Sequence, residues 1–590
     1  MSDSSMINKR HTEQSLTETT LEESDETLHF PWLRHYQAGV PSHLDIPQQP
    51  LTWMLDTTAQ RYPHRCAFIY FGRKLTYAQF SEQAKRFAVA LRRLGVAKGD
   101  RVALALPNIP QFAIAFYGIL YAGAIVVSTN PLYTEREMQH QMVDSGAKVI
   151  VMLDSFYPAL RAIRPQTALE HVIVTSVSDF LPPLQRLLYP LTQRKNKSSE
   201  QQFLRQDLAA DATVHAMLSL LRSAGNGKQS SLPAPAAGED LAVLQYTGGT
   251  TGLSRGAMLT HRNLLANAMQ TFNWMPQARR GQDITLCIAP FFHAYGLTVG
   301  MNQSILGAMT MILLPRFNAS EALRAIRRCR PTLFPGVPTL YIGIMRQAAG
   351  HPEYLRSIKY CISGSAPLPV QVQEDFERIT GGKLVEGYGL SEASPVTHCN
   401  PLSTEQRRVG SIGLPLPDVE AAILSPGSGE PVPVGEIGEI VVKGPNIMRG
   451  YWQRDEDSKA MFIDGWMRTG DIGKMDANGY FYIIERAKDM IIASGFNVYP
   501  REVEEILFNH PAIEEAAVVG VADSYRGETV EAFVVLKPGF EPSDETRQSI
   551  QAFCRQFLAA YKVPRIIKFL DRLPRSSIGK VLRRELRTQS

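Results

Sequence analysis

A loop rich in glycine and threonine is the part of the chain whose residue types best suit chemistry. Residues 247–252 read Thr-Gly-Gly-Thr-Thr-Gly, a run with no large apolar side chain to bury. The glycines carry a high entropy cost on folding, but they leave backbone N–H groups accessible, and the threonines add hydroxyls. Such a loop can wrap a polyanion such as triphosphate. It lacks the Gly-x-x-x-x-Gly-Lys-Ser/Thr pattern of a P-loop, and a surface hairpin without a ligand is the alternative for this loop alone.

The string Glu386–Glu392 carries groups that suit a nucleotide and a metal ion. It reads Glu-Gly-Tyr-Gly-Leu-Ser-Glu and follows three strand-like residues. Its glycines let a ligand approach the backbone, Tyr388 can stack on a base, and Ser391 can bond a phosphate. Glu392 is a hard oxygen ligand of the kind that Mg²⁺ prefers. Because Gly-x-Gly strings are common, a plain turn is an equal alternative for this string alone.

Three later strings place charged residues in turns. Asp471 follows Thr-Gly within 465–473 and could hold ribose hydroxyls, as acidic residues do in other nucleotide sites; an Asx-type turn that closes a hairpin is the alternative. The segment 485–504 runs from a charged cluster through a strand to a Gly turn and a helix opened by Pro500, which is typical of a domain junction.

Lys580 follows a glycine in a polar loop near the C-terminus. Taken alone, it indicates only a solvated charge.

The elements that must position these groups alternate along the chain. Residues 241–246 and 256–260 read as strands, so a sheet would hold the Gly/Thr loop at both ends, with Arg255 at its exit. From Leu51 onward, and again between residues 321 and 385, helix-like and strand-like pieces alternate, which predicts a mainly parallel sheet covered by helices. The first predicted pieces are helices at 77–94, 111–122 and 135–145 and strands at 101–106, 125–128 and 148–153.

The remaining segments complete an α/β fold class. We expect a large N-terminal domain of α/β-layered subdomains plus a β-rich subdomain, because short strands and Gly/Pro turns follow residue 418. A small mobile α+β C-terminal domain, of helices and strands, follows it. Residues 192–240 are rich in Gln, Ser, Lys, Ala and Pro and predict a polar insertion or linker. The predicted boundaries are an acidic disordered tail at 1–30, a large N-terminal domain at 31–485, a junction at 486–488 and the C-terminal domain at 489–590.

A leucine-rich segment just before residue 192 has helical spacing and basic neighbours. Such a helix could lie on an anionic membrane surface, but Pro190 interrupts it, and the pattern favours a helix that packs on its own domain. A peripheral membrane contact and a homodimer are both compatible with the sequence. The leucines are Leu184, Leu187, Leu188 and Leu191, and the basic residues are Arg186, Arg194, Lys195 and Lys197.

Composition excludes several classes of protein. The net charge of +5 over 590 residues, without a basic stripe, argues against nucleic-acid binding. The 6 cysteines are scattered and form no Cys-x-x-Cys pair, which fits a reducing cytosol and argues against a transition-metal site. The uncharged stretches 112–127 and 296–315 are too short or too polar to span a membrane. We therefore expect a cytoplasmic protein, or one that binds peripherally to the inner face of the membrane.

Taken together, in this order and at this spacing, the strings resemble the adenylate-forming superfamily of acyl-CoA synthetases, adenylation domains and luciferases. Within it, the chain is most similar to bacterial long-chain fatty-acid–CoA ligases. The resemblance runs from about residue 31 to 587. It also includes Pro290–His293, Ser363–Pro367 and Gly444–Trp452, and the segments 31–41, 130–137 and 495–500 point to the ligases.

The resemblance implies a two-step reaction. A fatty-acid carboxylate attacks the α-phosphate of Mg·ATP to give an acyl-adenylate and pyrophosphate, and the CoA thiol then displaces AMP. A carboxylate that is already ionised needs no general base, so catalysis must come from positioning and charge stabilisation. The implied partners are a fatty acid, ATP, CoA and Mg²⁺.

The resemblance also assigns residues to this reaction. The implied catalytic residues are Lys580, Glu392 and Thr250, with Glu392 as the Mg²⁺ ligand and Lys580 acting on the α-phosphoryl group. His293 would lie between the nucleotide and acyl pockets, although a core histidine is nearly as good an interpretation. The implied nucleotide-binding residues are Thr247, Gly248, Gly249, Thr250, Thr251 and Gly252 around the phosphates, Gly364, Ser365, Ala366, Glu386, Gly387, Tyr388 and Gly389 around the adenine, Ser391 at the α-phosphate, Asp471 and Arg486 at the ribose, and Lys488 at the hinge.

Three positions depart from the pattern of the superfamily. Arg255 stands where lysine is usual, Ser391 where threonine is commoner, and Ile492 where many relatives carry lysine. The alternatives that stay open are activation of an aryl or medium-chain acid, acyl transfer to a carrier protein instead of CoA, and a sensor without turnover. Retention of the acidic and basic residues assigned above argues against the sensor.

Overall fold

The computed structural model describes residues 30–192, 200–225, 232–247, 254–426, 428–486, 489–493, 496–523, 527–575 and 581–588. The strands are β1 Cys66–Tyr70, β2 Arg73–Thr76, β3 Arg101–Ala105, β4 Ile125–Ser128, β5 Val149–Leu153, β6 His171–Thr175, β7 Val214–Ala216, β8 Leu241–Thr247, β9 Arg255–Thr260, β10 Ile284–Cys287, β11 Thr310–Leu313, β12 Tyr360–Ser363, β13 Lys383–Gly389, β14 Val396–Cys399, β15 Leu414–Pro415, β16 Glu420–Leu424, β17 Gly438–Lys443, β18 Phe462–Ile463, β19 Trp466–Met475, β20 Phe481–Arg486, β21 Ile491–Ala493, β22 Phe496–Val498, β23 Ile513–Asp523, β24 Gly527–Leu536 and β25 Ile566–Phe569.

The α-helices are α1 Thr52–Arg61, α2 Tyr77–Arg93, α3 Pro110–Tyr121, α4 Glu135–Ser145, α5 Tyr157–Ile163, α6 Pro183–Thr192, α7 Glu200–Ala210, α8 Met217–Ser223, α9 His261–Asn273, α10 Gln303–Leu306, α11 Ala319–Cys329, α12 Pro338–Gln347, α13 Val370–Thr380, α14 Asp455–Ala460, α15 Pro500–Phe508, α16 Asp544–Phe557 and α17 Arg583–Arg587. A π-helix at Gly296–Asn302 runs into α10. None of the helices in the described ranges is long and apolar enough to cross a bilayer.

The first sheet has seven strands in the order β7-β6-β5-β3-β4-β8-β9. All pairs are parallel except the last, in which β8 and β9 form an antiparallel hairpin. Its central strands β4 and β5 are buried along their whole length, as expected where helices cover both faces of a parallel sheet. Helix α3 is buried on all sides, which explains its uninterrupted apolar sequence.

The segment 192–240 differs from the predicted insertion or linker. Strand β7 extends the first sheet by pairing in parallel with β6, and helix α8 follows it directly. Met217 and Leu221 of α8 are buried. The polar composition hid a three-residue strand that is too short to show a periodicity, so the prediction of a linker is wrong for this part.

The second sheet carries the string Glu386–Glu392. Strands β10-β11-β1-β2 and β12-β13-β14-β15 form two four-stranded pieces. Leu333 joins these pieces, because it bridges to Thr285 of β10 and to Tyr360 of β12. One apolar core fills the space between the two large sheets.

Two smaller sheets follow. Strands β16 to β20 form an antiparallel sheet, which is the predicted β-rich subdomain. Strands β21 to β25 form a second five-stranded sheet with its own apolar core, in which β24 pairs antiparallel with β23 and parallel with β25. This arrangement of α/β layers, a β-rich subdomain and a small α+β domain confirms the predicted fold class.

Candidate active site

The hairpin β8–β9 fixes both ends of the Gly/Thr loop. Thr247, the last residue of β8, pairs with Arg255, the first residue of β9, as the flanking apolar patterns predicted. Residues 248–253, including Gly248, Gly249, Thr250, Thr251 and Gly252, lie outside the described residues. The sheet therefore presents this loop between two fixed strand ends, at the edge where β4 and β8 end in parallel.

Strands β12 and β13 run in parallel beside the hairpin and end together. Their register pairs Ser363 with Glu386, so the strings that begin at these two residues leave the same edge of the second sheet. Ser365 adopts a left-handed backbone with φ of 66°. A side chain at Gly364 would press on the ring of Tyr295, 3.2 Å from its nearest carbon. The turn 364–366 therefore needs a left-handed residue at 365 and a small residue at 364.

The two glycines of the Glu386–Glu392 string have a structural reason. A Cβ atom at Gly389 would lie 1.8 Å from the carbonyl oxygen of Pro395, and one at Gly387 would lie 2.8 Å from the side chain of Ile362. Neither position admits a larger residue. The sequence left approach of a ligand and a plain turn as equal reasons for these glycines; close approach of the chain to itself is sufficient to require them.

A hydrogen bond joins the second sheet to the β-rich subdomain. The Tyr388 hydroxyl donates to the Asp471 carboxylate at 2.6 Å, and Asp471 is 3% exposed. Two residues that the sequence placed in separate strings therefore share one site. The Tyr388 ring also lies against His398, 5.9 Å between ring centres. Burial lowers the pKa of His398 to about 3, so this imidazole is neutral at physiological pH.

Glu386 lies at the junction with the C-terminal domain. Burial raises the pKa of this carboxyl from 4.5 to about 7, although the charge of Arg501 and the N–H of Leu368 both oppose the rise. The Leu368 N–H donates to the carboxylate at 3.3 Å. A half-buried carboxyl that titrates near neutrality is a common feature of a functional site.

Glu392 is oriented by a tyrosine from a distant segment. The Tyr451 hydroxyl donates to Oε1 of Glu392 at 2.8 Å, and burial, followed by the charge of Glu392, raises the pKa of Tyr451 well above its usual range. The guanidinium of Arg255 lies over the Tyr451 ring, 5.6 Å from its centre, and 3.3 Å from Asp457. Arg255 thus has a role in the packing of this corner, at the position where the superfamily usually has lysine.

The donor set around Glu392 fits a magnesium ion that is held mostly by substrate. Among the described residues, no cluster of three or more His, Cys, Asp or Glu side chains could hold a metal. Mg²⁺ is commonly bound by one or two carboxylates together with substrate phosphates and water. One hard carboxylate, Glu392 in the short 3-10 helix Ser391–Ala393 that follows β13, meets that requirement.

His293 lies inside the protein beside Phe292, with 4.5 Å between the ring centres. Its Nε2 atom is buried and has no hydrogen-bond partner among the described atoms. Burial lowers the pKa of His293 to about 4, so the ring is neutral at physiological pH. A neutral imidazole with an unused nitrogen is compatible with a contact to a ligand.

The remaining predicted residues lie at or beyond the edge of the described chain. Arg486 ends β20, where its backbone pairs with Asp471, and Ser391 begins the short 3-10 helix that contains Glu392. Lys488 and Lys580 lie outside the described residues. The structure therefore joins Tyr388 to Asp471 by a hydrogen bond, and it places Glu386 beside Ser363 in the sheet and Glu392 beside Tyr451.

Reasoning from the sequence missed two groups. Tyr451 was part of the Gly444–Trp452 string but received no role, and His398 was not considered. The signal for Tyr451 is weak, because its partner lies 59 residues away. The backbone explains why it reaches Glu392: Tyr451 bridges to Ala257 of β9, beside the Gly/Thr hairpin.

Comparison with known proteins decides the family. The AMP-binding enzyme family matches residues 55–452, and the AMP-binding enzyme C-terminal domain matches residues 502–580. The chain belongs to the AMP-binding enzyme family. The predicted superfamily is thereby confirmed, and the second match falls on the small α+β domain.

Individual relatives of this AMP-binding enzyme cover almost the whole chain. It is 48% identical over 560 residues to a long-chain-fatty-acid–CoA ligase of Bacillus subtilis (strain 168), which covers 94% of this chain and 97% of that protein. It is 38% identical over 564 residues to a protein of the same name from Escherichia coli O6:H1, over 95% of this chain and 98% of that one. Among solved structures, the ATP-bound RpMatB-BxBclM chimera B1 matches with a TM-score of 0.81 and 31% identity, over 92% of this chain and 99% of that chain.

Proposed function

We infer that this AMP-binding enzyme is a long-chain fatty-acid–CoA ligase that forms AMP. The observation that carries the conclusion is its similarity, over nearly the full length of both chains, to the Bacillus subtilis ligase. ATP and CoA are its co-substrates. The strand ends described above supply the polar groups that a nucleotide needs, in the subdomains that the family shares.

The reaction has two displacements. A carboxylate oxygen of the fatty acid attacks the α-phosphorus of ATP, the bond to the β-phosphate oxygen breaks, and pyrophosphate leaves. The CoA thiol then releases its proton to solvent, its sulfur attacks the acyl carbon of the adenylate, the bond to the AMP oxygen breaks, and AMP leaves. Each step exchanges one bond for another, so a protein nucleophile is not required. The protein must position the reactants and stabilise the negative charge of the phosphates.

We propose that the described residues divide this work. Thr247 and the loop that follows it hold the β- and γ-phosphates, Tyr388 stacks on the adenine, and Asp471 accepts hydrogen bonds from the ribose. Glu392 holds Mg²⁺, which when bound neutralises phosphate charge. The hydrogen bond from Tyr451 leaves the second carboxylate oxygen of Glu392 available for this role.

We propose that residues outside the described ranges complete the site. Thr250 and the neighbouring glycines donate to the phosphates, Lys580 neutralises charge on the α-phosphoryl group during adenylation, and Lys488 marks the hinge at 486–488 about which the domain 489–590 turns. Two described residues add to it: Arg486 contacts the ribose and the phosphates, and His293 separates the nucleotide from the acyl chain.

We also propose a cytoplasmic enzyme that contacts the inner face of the membrane peripherally. A homodimer stays a prediction, which sedimentation of the purified chain tests.

A direct assay tests the proposed function. The purified protein is supplied with ATP, Mg²⁺, CoA and a panel of acids from acetate to oleate plus coumarate, and products are identified by mass spectrometry. Acyl-CoA and AMP that appear together with the long acids support the ligase. An acyl-adenylate without thioester would point to a carrier-protein acceptor, preference for coumarate to an aryl-acid ligase, and no product to a sensor.

A further inference from the structure

Helix α4 contacts both strand ends that flank the Gly/Thr loop. The Tyr246 hydroxyl, on β8, donates to Oδ2 of Asp144 at 2.7 Å. On the other side of the loop, the carbonyl oxygen of Ser254 lies 3.0 Å from Nε2 of His140. A carbonyl oxygen can only accept, so this imidazole nitrogen carries the proton and donates. His140 and Asp144 are four residues apart and lie on the same face of α4, so one helix face holds both sides of the base of the loop.

The position of α4 is itself fixed at both ends. At its N-terminus, the Thr134 hydroxyl accepts from the Glu137 N–H and the Glu137 carboxylate accepts from the Thr134 N–H, which is a capping box. At its C-terminus, the Arg101 guanidinium donates to the carbonyl oxygen of Ser145 at 2.9 Å. The capping box belongs to the segment 130–137, which the sequence related to the ligases without giving it a role. Here it sets where the helix begins.

Asp144 also links the Gly/Thr loop to the segment that orients Glu392. Its other oxygen, Oδ1, accepts from the Arg454 guanidinium at 2.9 Å. Arg454 lies three residues after Tyr451, whose hydroxyl donates to Glu392. The Asp144 side chain is only 10% exposed, and the backbone of the segment around Tyr451 also bonds to β9. The parts of the site that would bind the triphosphate and the metal ion are therefore tied to one carboxylate.

We propose that His140 and Asp144 are positioning residues for the triphosphate of ATP. The Gly/Thr loop has no apolar side chain to anchor it, and a glycine-rich backbone is costly to order. Its affinity for phosphates therefore depends on how firmly its two ends are held, because a loop that is already ordered loses less entropy on binding. Neither residue needs to touch the nucleotide. The inference rests on the proposed function in one respect, namely that this loop holds the β- and γ-phosphates.

Binding of ATP and of AMP by the full-length protein tests the proposal. AMP lacks the β- and γ-phosphates, so it reports the contacts of the adenine and the ribose without those of the loop. Affinities for both nucleotides, each with Mg²⁺, are measured by isothermal titration calorimetry. We expect His140→Leu to bind ATP about fivefold more weakly, and Tyr246→Phe, which loses a bond to a charged group, about tenfold more weakly. The affinity for AMP should be unchanged in both variants.

Two further variants show whether the hydrogen bond is the cause. His140→Gln is the conservative change, because the glutamine amide can place a donor where Nε2 of the imidazole lies, and it should bind ATP like the wild type. Gln139→Leu is the matched control. It removes a hydrogen bond of 2.5 Å from the adjacent residue of α4 to Gln166, in a different segment, and should leave both affinities unchanged.

The reaction itself provides the second readout. The weakened variants should raise KM for ATP more than they lower kcat, and thioester formation from supplied acyl-AMP, which needs no triphosphate, should match the wild type. Wild-type affinity for ATP in both His140→Leu and Tyr246→Phe would overturn the proposal, as would equal losses for ATP and AMP. If His140→Gln binds ATP as weakly as His140→Leu, the bond to Ser254 is excluded as the cause. A wild-type protein that makes no acyl-CoA, although its variants show the contrast between ATP and AMP, would contradict the proposed function and leave the positioning residues standing.

Discussion

The hydroxyl of Tyr451 donates a hydrogen bond of 2.8 Å to Oε1 of Glu392, across 59 residues of sequence. In the metal role proposed for Glu392, this contact would hold one carboxylate oxygen and leave the other for the ion. Hydrogen bonds to ligating carboxylates commonly tune metal sites in this way.

Removal of the Tyr451 hydroxyl should impair the use of Mg·ATP. We expect Tyr451→Phe to lower kcat/KM for ATP about tenfold, because a hydrogen bond to a charged group contributes roughly 1.5–3 kcal/mol, and to raise the Mg²⁺ concentration needed for half-maximal rate. Glu392→Ala should do the same more strongly. Steady-state rates at varied Mg²⁺ measure both effects.

The control for this pair is Tyr157→Phe on helix α5. It removes a hydroxyl that donates to Asp207 of helix α7 at 2.7 Å. It should leave the Mg²⁺ dependence unchanged. An unchanged Mg²⁺ dependence in Glu392→Ala would exclude this carboxylate from the metal site.

Substitution of Lys580 should separate the two half-reactions. We expect Lys580→Ala to depress formation of the acyl-adenylate from ATP by about 100-fold or more, because one preorganised charge in a site of this kind contributes on the order of 3 kcal/mol. Thioester formation from supplied acyl-AMP should fall far less. Pyrophosphate release and acyl-CoA formation are measured separately, with Lys537→Ala, an exposed lysine of the same domain, as the control. Equal losses in both steps would contradict the assigned role.

The raised pKa of Glu386 predicts a pH-dependent stability. Its pKa rises from 4.5 to about 7 on folding, so the folded state retains a proton that the unfolded state has lost. Stability from this group is therefore present below pH 4.5 and is lost as pH rises towards 7. Compared with the wild type, Glu386→Gln should have the higher melting temperature at pH 8 and nearly the same one at pH 4.5. Calorimetric scans across this range provide the measurement, and a constant difference in melting temperature would show that Glu386 does not titrate there.

Arg583 should hold the last helix, α17, to strand β20 and to helix α15. Its guanidinium lies 3.1 Å from Glu485, at the end of β20, and 2.8 Å from Glu504 of α15. We expect Arg583→Gln to destabilise the C-terminal domain by about 3–5 kcal/mol, because two largely buried carboxylates lose this guanidinium. Hydrogen–deuterium exchange of α15 should rise accordingly.

The matched control for Arg583 is Arg378→Gln, which breaks an exposed ion pair with Asp375 and should cost no more than about 1 kcal/mol. The deficit of the Arg583 variant should shrink at low pH, because protonation neutralises the two carboxylates that have lost the guanidinium. A deficit that is the same at pH 5 and pH 8 would argue that lost packing, not charge, explains it.

Local patterns in the sequence determined the elements of this protein. Apolar runs of strand length predicted β8 and β9 around the Gly/Thr loop, and helical spacing predicted α2, α3 and α4 to within two residues at each end. These predictions succeed because burial of an apolar face follows directly from periodicity along the chain. The motif strings indicated the AMP-binding family only by their resemblance to it, taken in order and spacing together.

Only the tertiary structure decided which groups meet. Tyr388 contacts Asp471 across 83 residues and Arg583 contacts Glu485 across 98, and nothing in the local sequence encodes such pairs. Strand β7 depends on an edge that β6 provides, and three residues are too few to show a periodicity of their own. The leucines of α6 show the same limit. Their spacing favoured a helix packed on its own domain, but the leucines at 184, 187 and 188 are exposed, because amphipathic spacing predicts an apolar face but not what covers it. That depends on the surrounding elements, which the chain brings together only on folding.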